Sequence, residues 1–471
     1  MTAFALVLVL AGQVHVDTVL RFAFRPTEMV YVESSDRLLV FHSDHDLVCV
    51  LNCDDYSVEK VIPIAGGAGT GMYWTWNWQR DKYYFVLGRP DFLAVYDAAR
   101  DSFTRWLPIS GTRSPCYASS HDWVYVVDET QIRVVDCATD SFVRDVPPGP
   151  YNPWGAVSWD SVGDKVYAWA YDAPTQDVLA AYSCANDSLL ASVSTGIFAP
   201  TVLAYYPLMH KVHLGSDYGT DSVASYDCEN DSVLRVFPII YQGPAGVCAA
   251  YNAVRERLYL PGGTGLRETL YAIDCVTDSI VSRTTLPGEA NDIAMADRTD
   301  RLYLSIGATR LVVLDCEADT LLGPGIETGW GPTYLTYVAR HNRMFLSCQD
   351  STIYVLHDDT TGIAEQRIAF PVRWDLTVSS NPIMDKATIS WQVPKEADVS
   401  LSVHNTAGRL VRVLADGRTR PGSYSVTWDS RDSRGRLVPH GIYFCRLDTP
   451  GFRAVKKAVV ARERAEVESR E

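Results

Sequence analysis

A few short stretches carry residue types that could do chemistry. Ser57-Val58-Glu59-Lys60 has the S-x-x-K spacing in which a lysine activates a serine nucleophile. That pairing needs a helix to set the lysine beside the serine. The stretch reads as a strand, where positions i and i+3 point to opposite faces, so the match is fortuitous. Gly66-Gly67-Ala68-Gly69-Thr70-Gly71 is glycine-rich but lacks the Gly-Lys-Ser/Thr ending and the following helix of a phosphate loop. His42-Ser43-Asp44-His45-Asp46 could gather a metal ion, although a solvated polar loop accounts for it as well. No HExxH, GxSxG or EF-hand spacing occurs, and no Cys/His cluster has the spacing of a zinc site. The sequence therefore assigns no catalytic residue, no metal ligand and no cofactor, and the expectation is a protein that is not an enzyme.

A second group of residues suits binding rather than reaction. One segment carries Tyr73, Trp74, Trp76 and Trp78, and strand alternation places the three tryptophans on one face. Another reads Pro150-Tyr151-Asn152-Pro153-Trp154-Gly155, and a third Gly329-Trp330-Gly331-Pro332. A fourth offers Glu289, Asn291 and Asp292. Aromatic faces beside carboxylates and amides fit sugars or peptides. The alternative is that the tryptophans fill the interior of the fold.

What must position these residues is a repeat. One phrase, two apolar residues followed by Asp-Cys-x-x-Asp-Ser, recurs with its Cys slot at Cys53, Ala98, Cys137, Cys184, Cys228, Cys275 and Cys316, and in degenerate form at Asp358. A second phrase keeps step with it. A basic residue precedes an apolar-aromatic-apolar trio, as in Arg257-Leu258-Tyr259-Leu260, Arg301-Leu302-Tyr303-Leu304 and Lys165-Val166-Tyr167-Ala168. Each unit of about 40–45 residues holds four short strands separated by turn residues, which is the pattern of a propeller blade. The Asp residues of the first phrase suit a tight turn between the two outer strands, where their side chains accept backbone N–H bonds. The fold class is all-β: a β-propeller of four-stranded blades, eight in number with seven as the alternative, followed by a small Ig-like β-sandwich. Should the first blade be incomplete, the segment 360–370 is placed to supply its missing strand. In a propeller the loop entering each innermost strand opens on one rim of the central channel, so Tyr73, Trp74, Tyr151, Asn152, Trp154, Glu289, Asn291, Asp292 and Trp330 become candidate rim ligands.

Composition bounds the rest. The net charge of −15 comes with 47% hydrophobic residues, so the chain is globular. The charge divides unevenly: residues 372–471 are net basic and the part before them strongly acidic. An acidic body repels phosphates and excludes nucleic acid as a partner. Residues 1–13 resemble the apolar core of a truncated signal peptide, and no stretch is apolar for 18 residues. Eleven cysteines are present, but six share one slot of different repeats, too far apart to bridge. They are expected as free, buried, apolar side chains at blade seams, with at most one bridge among Cys116, Cys248 and Cys348.

These phrases resemble the YVTN-type β-propeller repeat, found in secreted and surface-layer proteins, over residues 14–371. The segment 372–462 resembles two related families, the Ig-like domain of flagellar hook-capping proteins and the C-terminal sorting domain of type IX secretion cargo. The residues that carry this are Gly408, Arg409, Trp428, Asp429, Gly435, Gly441 and Tyr443, with Lys456 and Lys457 opening the terminal basic-then-apolar strand. A charged tail, 463–471, follows where sorting domains end. The resemblance implies export and an extracellular or outer-surface location, with secretion machinery as the partner of the C-terminal domain. The expected protein is a monomer without a transmembrane segment that holds a protein or glycan ligand at the propeller rim, the alternative being a propeller lyase or glycoside hydrolase acting at the channel.

Overall fold

In a computed structural model, the chain divides into two compact units, 1–366 and 367–471. The structure describes residues 14–42, 44–64, 73–87, 92–110, 115–128, 131–147, 152–172, 176–197, 200–206, 209–216, 222–239, 249–262, 268–358, 375–379, 383, 386–393, 397–406, 408–420, 422–450 and 452–461. The apolar segment 1–13, the glycine-rich stretch 66–71, Tyr151, Cys248, the segment 360–370 and the tail 463–471 lie outside these residues. Among the described residues no helix is long and apolar enough to cross a membrane.

Among the described residues the first unit holds eight antiparallel sheets. Strand β1 is Val14–Arg21. The next seven sheets follow the chain in order. They are β2–β5 (Met29–Val32, Arg37–His42, Leu47–Asn52, Val58–Pro63) and β6–β9 (Tyr73–Asn77, Lys82–Leu87, Phe92–Asp97, Ser102–Pro108). Then come β10–β13 (Cys116–Ala118, Trp123–Asp128, Gln131–Asp136, Ser141–Val146) and β14–β17 (Asn152–Asp160, Lys165–Asp172, Gln176–Ser183, Leu189–Ser194). They are followed by β18–β21 (Pro200–Tyr206, Lys211–Ser216, Val223–Asp227, Ser232–Phe237) and β22–β25 (Ala250–Asn252, Arg257–Gly262, Thr269–Asp274, Ser279–Thr285). The seventh is β26–β30 (Ala290–Ala296, Arg301–Ile306, Arg310–Asp315, Thr320–Leu321, Ile326–Glu327), in which both short strands pair with β28. The last sheet is closed by the beginning of the chain. β31–β33 (Pro332–Val338, Arg343–Cys348, Thr352–Asp358) take β1 as their outer strand, paired from Val14↔Asp358 to Arg21↔Thr352. So β1 supplies the outer strand of the last sheet, and the segment 360–370, a candidate closing strand, lies outside the described residues.

Burial explains the strand sequences. Central strands such as β3, β7 and β27 are buried along nearly their whole length, because both faces are covered by neighbouring sheets. The outer strands β17 and β25 alternate, with one face in solvent. Between each pair of successive sheets lies an apolar seam. Phe41 and Val50 meet Phe85 and Tyr96 in the first, and Leu302 and Val312 meet Tyr259 and Leu270 further along. The eighth seam packs Phe345 and Val355 of β32 and β33 on Leu38 and Val40 of β3, so the succession of seams returns to its start.

The two repeated phrases are polar partners across these seams. The first Asp of the turn phrase behaves as expected: Asp136 Oδ1 accepts the N–H groups of Ala138 (2.9 Å) and Thr139 (2.8 Å). The second Asp does not cap its own turn. Asp140, Asp231, Asp278 and Asp319 all sit at φ near +50° and turn their carboxylates toward another sheet. Each accepts an ion pair from the basic residue that opens the second phrase: Lys82–Asp140 at 2.6 Å, Lys165–Asp231 and Lys211–Asp278 at 2.7 Å, Arg257–Asp319 at 2.8 Å. The tyrosine of that phrase adds its hydroxyl, from Tyr84, Tyr167 and Tyr259, at 2.7–2.8 Å. The Cys slot lies beside these groups. Cys53, Cys137, Cys228, Cys275 and Cys316 are fully buried, and burial raises their thiols far above the ordinary range. All ten described cysteines, Cys116 and Cys348 included, are unbridged.

The second unit packs two sheets on one core. One sheet has the order β34-β35-β38 (Asp375–Ser379, Ala387–Val393, Gly422–Trp428). The other runs β37-β36-β39-β40 (Leu410–Thr419, Ala397–Asn405, Gly441–Thr449, Phe452–Val460). Trp391 and Trp428 of the first meet Leu401, Tyr443 and Leu447 of the second. The motif residues have structural work here. Gly408 at φ +74° closes the β36–β37 hairpin, with Arg409 N–H bonded to Asn405 Oδ1 at 2.9 Å. Trp428 is wholly buried, its Nε1 donating to Arg431 O at 3.0 Å, and Tyr443 donates its hydroxyl to Pro439 O at 2.9 Å. Asp429 pairs with Arg412 at 2.7 Å, and Gly435 at φ +74° shapes the Asp432 turn. Gly441 opens β39, and Lys456 and Lys457 lie on β40 opposite Cys445 and Phe444.

Candidate functional site

Four of the candidate rim residues lie on or near the ends of two strands, β26 and β31. β26 and β31 belong to adjacent sheets, and side chains from β26 tie them to each other. Asn291 Nδ2 donates to Gly307 O at 2.8 Å and to Pro332 O at 2.9 Å. Asp292 Oδ2 accepts the N–H of Leu335 at 2.7 Å. Glu289 precedes the strand, with its carbonyl accepting Gly307 N–H at 2.7 Å. Trp330 stands two residues before Pro332 and is 61% exposed, the most open large apolar side chain described. A backbone bond from Gly331 N–H to Ala308 O (2.7 Å) and a bond from Trp330 N–H to the Asp350 carboxylate (Oδ2, 3.3 Å) hold its loop. Gly331 is at φ +64°, and a Cβ there would meet the Gln349 side chain at 2.8 Å, so glycine is required.

Asp292 is the chemically distinctive group. Burial pushes its carboxyl up to about 7, and the N–H groups of Leu335 and Ile293 offset only part of that. Its described partners are backbone N–H groups, so it can hold or release a proton near neutral pH. The raised value has a stability consequence. The folded state holds the proton more tightly than the unfolded chain, so Asp292 stabilises fully below its ordinary value of 3.8 and loses that contribution as pH rises toward about 7. Asp292→Asn keeps the acceptor for Leu335 and never ionises. The variant is expected to match the wild type near about pH 4 and to exceed it by about 4 kcal/mol above about pH 7. Denaturant midpoints across that range check this, and an equal difference at every pH contradicts it.

The other candidates lie elsewhere. Tyr73 and Trp74 are on β6, in a different sheet. Trp74 rests near Tyr83 and Phe85 (5.9 and 6.4 Å between centroids), and Tyr73 packs into the seam toward β10–β13. The three tryptophans do not share a face. Trp76 stacks on Tyr83 in one seam, whereas Trp78 lies past the strand end and meets Tyr117 in the other. The strand stops at Asn77, whose side chain caps the turn through Gln79 N–H, and this ends the alternation. Asn152 and Trp154 belong to β14, but their side chains, like Tyr151, lie outside the described residues. Ser57 and Lys60 form no nucleophile pair: Ser57 bonds Asp55, and Lys60 on β5 pairs with Asp101. His42 is no loop ligand; it is fully buried, with Nδ1 donating to Arg25 O at 3.1 Å.

Two groups escaped the sequence reading. His121, Asp164 and Cys184 place a ring nitrogen, a carboxylate oxygen and a sulfur within 4.8 Å of one another, and Asp36, Asp54 and His341 form a second such set. Their residues are scattered over three turns of two sheets, so no linear spacing reveals them. Burial raises Asp164, but the hydrogen bonds from His121, Trp159 and Ser120 and the charge of His121 together outweigh it and leave the carboxyl below the ordinary range; Asp36 follows the same pattern with His341, Tyr31 and Arg340.

Comparison with known proteins adds two findings. The crystal structure of the computationally designed Ika8 protein is similar, with a TM-score of 0.53 and 12% identity over 72% of this chain and 97% of that one. At that identity the likeness concerns the fold alone. No curated protein matches the sequence. Residues 378–448 match the family model described as the FlgD Ig-like domain, so the chain is an all-β protein whose second unit carries an Ig-like domain of that type.

Proposed function

We propose that the first unit is an eight-bladed β-propeller that serves as a binding or structural module of an exported protein, with the Ig-like domain directing secretion or surface attachment. The eight sheets in chain order, the eight seams and the pairing of β1 with β33 support the propeller. The phased phrases that resemble the YVTN repeat agree with it. The observation that carries the binding reading is Trp330, exposed two residues before the Pro332 carbonyl that Asn291 holds, because an open indole is the kind of surface that holds a sugar ring or a peptide. Export rests on the apolar residues 1–13 and on the resemblance of the Ig-like segment to sorting domains.

The test is a screen of the full chain against an oligosaccharide array and a peptide library. Any retained probe is then measured with Trp330→Ala, where a loss of at least tenfold is expected. An affinity unchanged by Trp330→Ala refutes the assignment of the site. A second reading, an enzyme at the channel, draws on the neutral titration of Asp292 alone. Turnover of an array member, abolished by Asp292→Asn, would select it.

A further inference from the structure

The seams repeat a second polar contact, and its exceptions are informative. Two residues before the second strand of four sheets stand Arg80, His121, Arg255 and His341. Each reaches an Asp in the following sheet that sits at φ between +53° and +59°: Asp122, Asp164, Asp300 and Asp36. Arg80 and Arg255 make salt bridges of 2.5 Å, whereas His121 and His341 approach their carboxylates at 2.8 Å through Nε2. The carbonyl of each Asp also accepts the N–H of the Cys in its own sheet, Cys137, Cys184, Cys316 or Cys53, at 3.1–3.4 Å. Carboxylate and thiol are thus juxtaposed at every one of these seams. An arginine cannot ligate a metal; a neutral imidazole can.

We propose that His121, Asp164 and Cys184 form a binding site for a divalent cation of the zinc class. A nitrogen, an oxygen and a sulfur donor within 4.8 Å leave one tetrahedral position for water. Surrounding groups fix the donors. Trp123 stacks on the His121 ring at 4.5 Å, and the Arg144 guanidinium covers Trp123 at 3.9 Å while pairing with Asp187 at 2.6 Å. Ser120 and Trp159 donate to Asp164 Oδ1 at 3.3 and 3.4 Å. His121 and Asp164 are partly open to solvent and give the ion a way in, while Cys184 is buried behind them. Binding forms a metal–sulfur bond and releases the thiol proton to water. At the sister set the third donor is the carboxylate of Asp54 rather than a thiol, which makes that set the internal control.

The chain supplies its own test substitutions. His121→Arg installs the residue used at the Arg80 and Arg255 seams, and Cys184→Ala installs the residue that Ala98 places in the same slot. Cobalt(II) is titrated into metal-stripped full-length protein. The expected result is a near-ultraviolet thiolate-to-cobalt charge-transfer band, displaced by zinc, together with proton release. Both variants should lose the band and weaken cobalt binding at this site at least tenfold, while the melting of His121→Arg stays unchanged. His341→Arg should keep the band. A wild-type protein without it, or a band that survives His121→Arg, overturns the proposal.

Discussion

Asp358→Ala is expected to destabilise the first unit by about 3–5 kcal/mol, more than the same change at any sister seam. Asp358 accepts Arg301 Nη1 at 2.6 Å and the Tyr303 hydroxyl at 3.2 Å. The Arg301 and Asp358 side chains are 4% and 3% exposed, against 12% for both members of Lys82–Asp140 and 24% and 13% for Arg257–Asp319. Removing the carboxylate strands a guanidinium where water cannot solvate it, and that desolvation dominates the loss. The more solvated pairs lose less, because water replaces part of the missing partner. Arg301→Met combined with Asp358→Leu removes both charges and should recover most of the deficit. Chemical denaturation of the two single variants and the double variant checks this. Additive losses in the double variant contradict the account.

Deleting residues 14–21 is expected to abolish the single cooperative transition of the first unit. These residues are β1, and they cover the edge of β33 along its length. Val14 and Val16 also enter the seam with Tyr303, Leu311 and Met344, at 2% and 9% exposure. Losing two buried valines costs about 3–6 kcal/mol before the ladder hydrogen bonds are counted. The bared β33 is then an unprotected edge, so the truncated chain should also self-associate. Thermal unfolding and size-exclusion chromatography read the two effects, and a synthetic peptide of residues 14–21 should restore the transition. A truncated chain that melts like the full one and elutes as a monomer refutes the closing role of β1.

Much of this protein follows from local chemistry. The Asp–Cys and basic–aromatic phrases fix where strands begin and end, because turn residues and alternating burial are properties of neighbours in the chain. The basic–aromatic phrase that starts at Arg301 opens β27, and the turn phrase around Cys316 begins where β28 ends. The free seam cysteines were legible for the same reason: one slot, repeated, faces one environment. In the second unit, Gly408, Trp428 and Tyr443 carried the resemblance to an Ig-like domain, and the structure puts the first in a hairpin turn and the other two in the core.

Partnership across seams was not legible. Lys82 and Asp140 are 58 residues apart, and Arg301 and Asp358 are 57 apart. Nothing in either phrase says that the second Asp, held at positive φ, turns away from its own turn toward another sheet. The rim candidates divide in the same way. Asn291 and Asp292 reach Pro332 and Leu335 because β26 packs on β31, whereas Trp76 and Trp78 part because Asn77 ends the strand between them. Of the chemistry-bearing stretches that opened the sequence reading, Val58, Glu59 and Lys60 prove to be strand and His42 a buried side chain. The two donor sets found among the described residues, His121 with Asp164 and Cys184 and His341 with Asp36 and Asp54, each exist only because two sheets share a seam. Sequence determines what each residue can do with its neighbours; long-range contacts between sheets decide which distant groups meet, since their geometry is set by packing rather than by spacing along the chain.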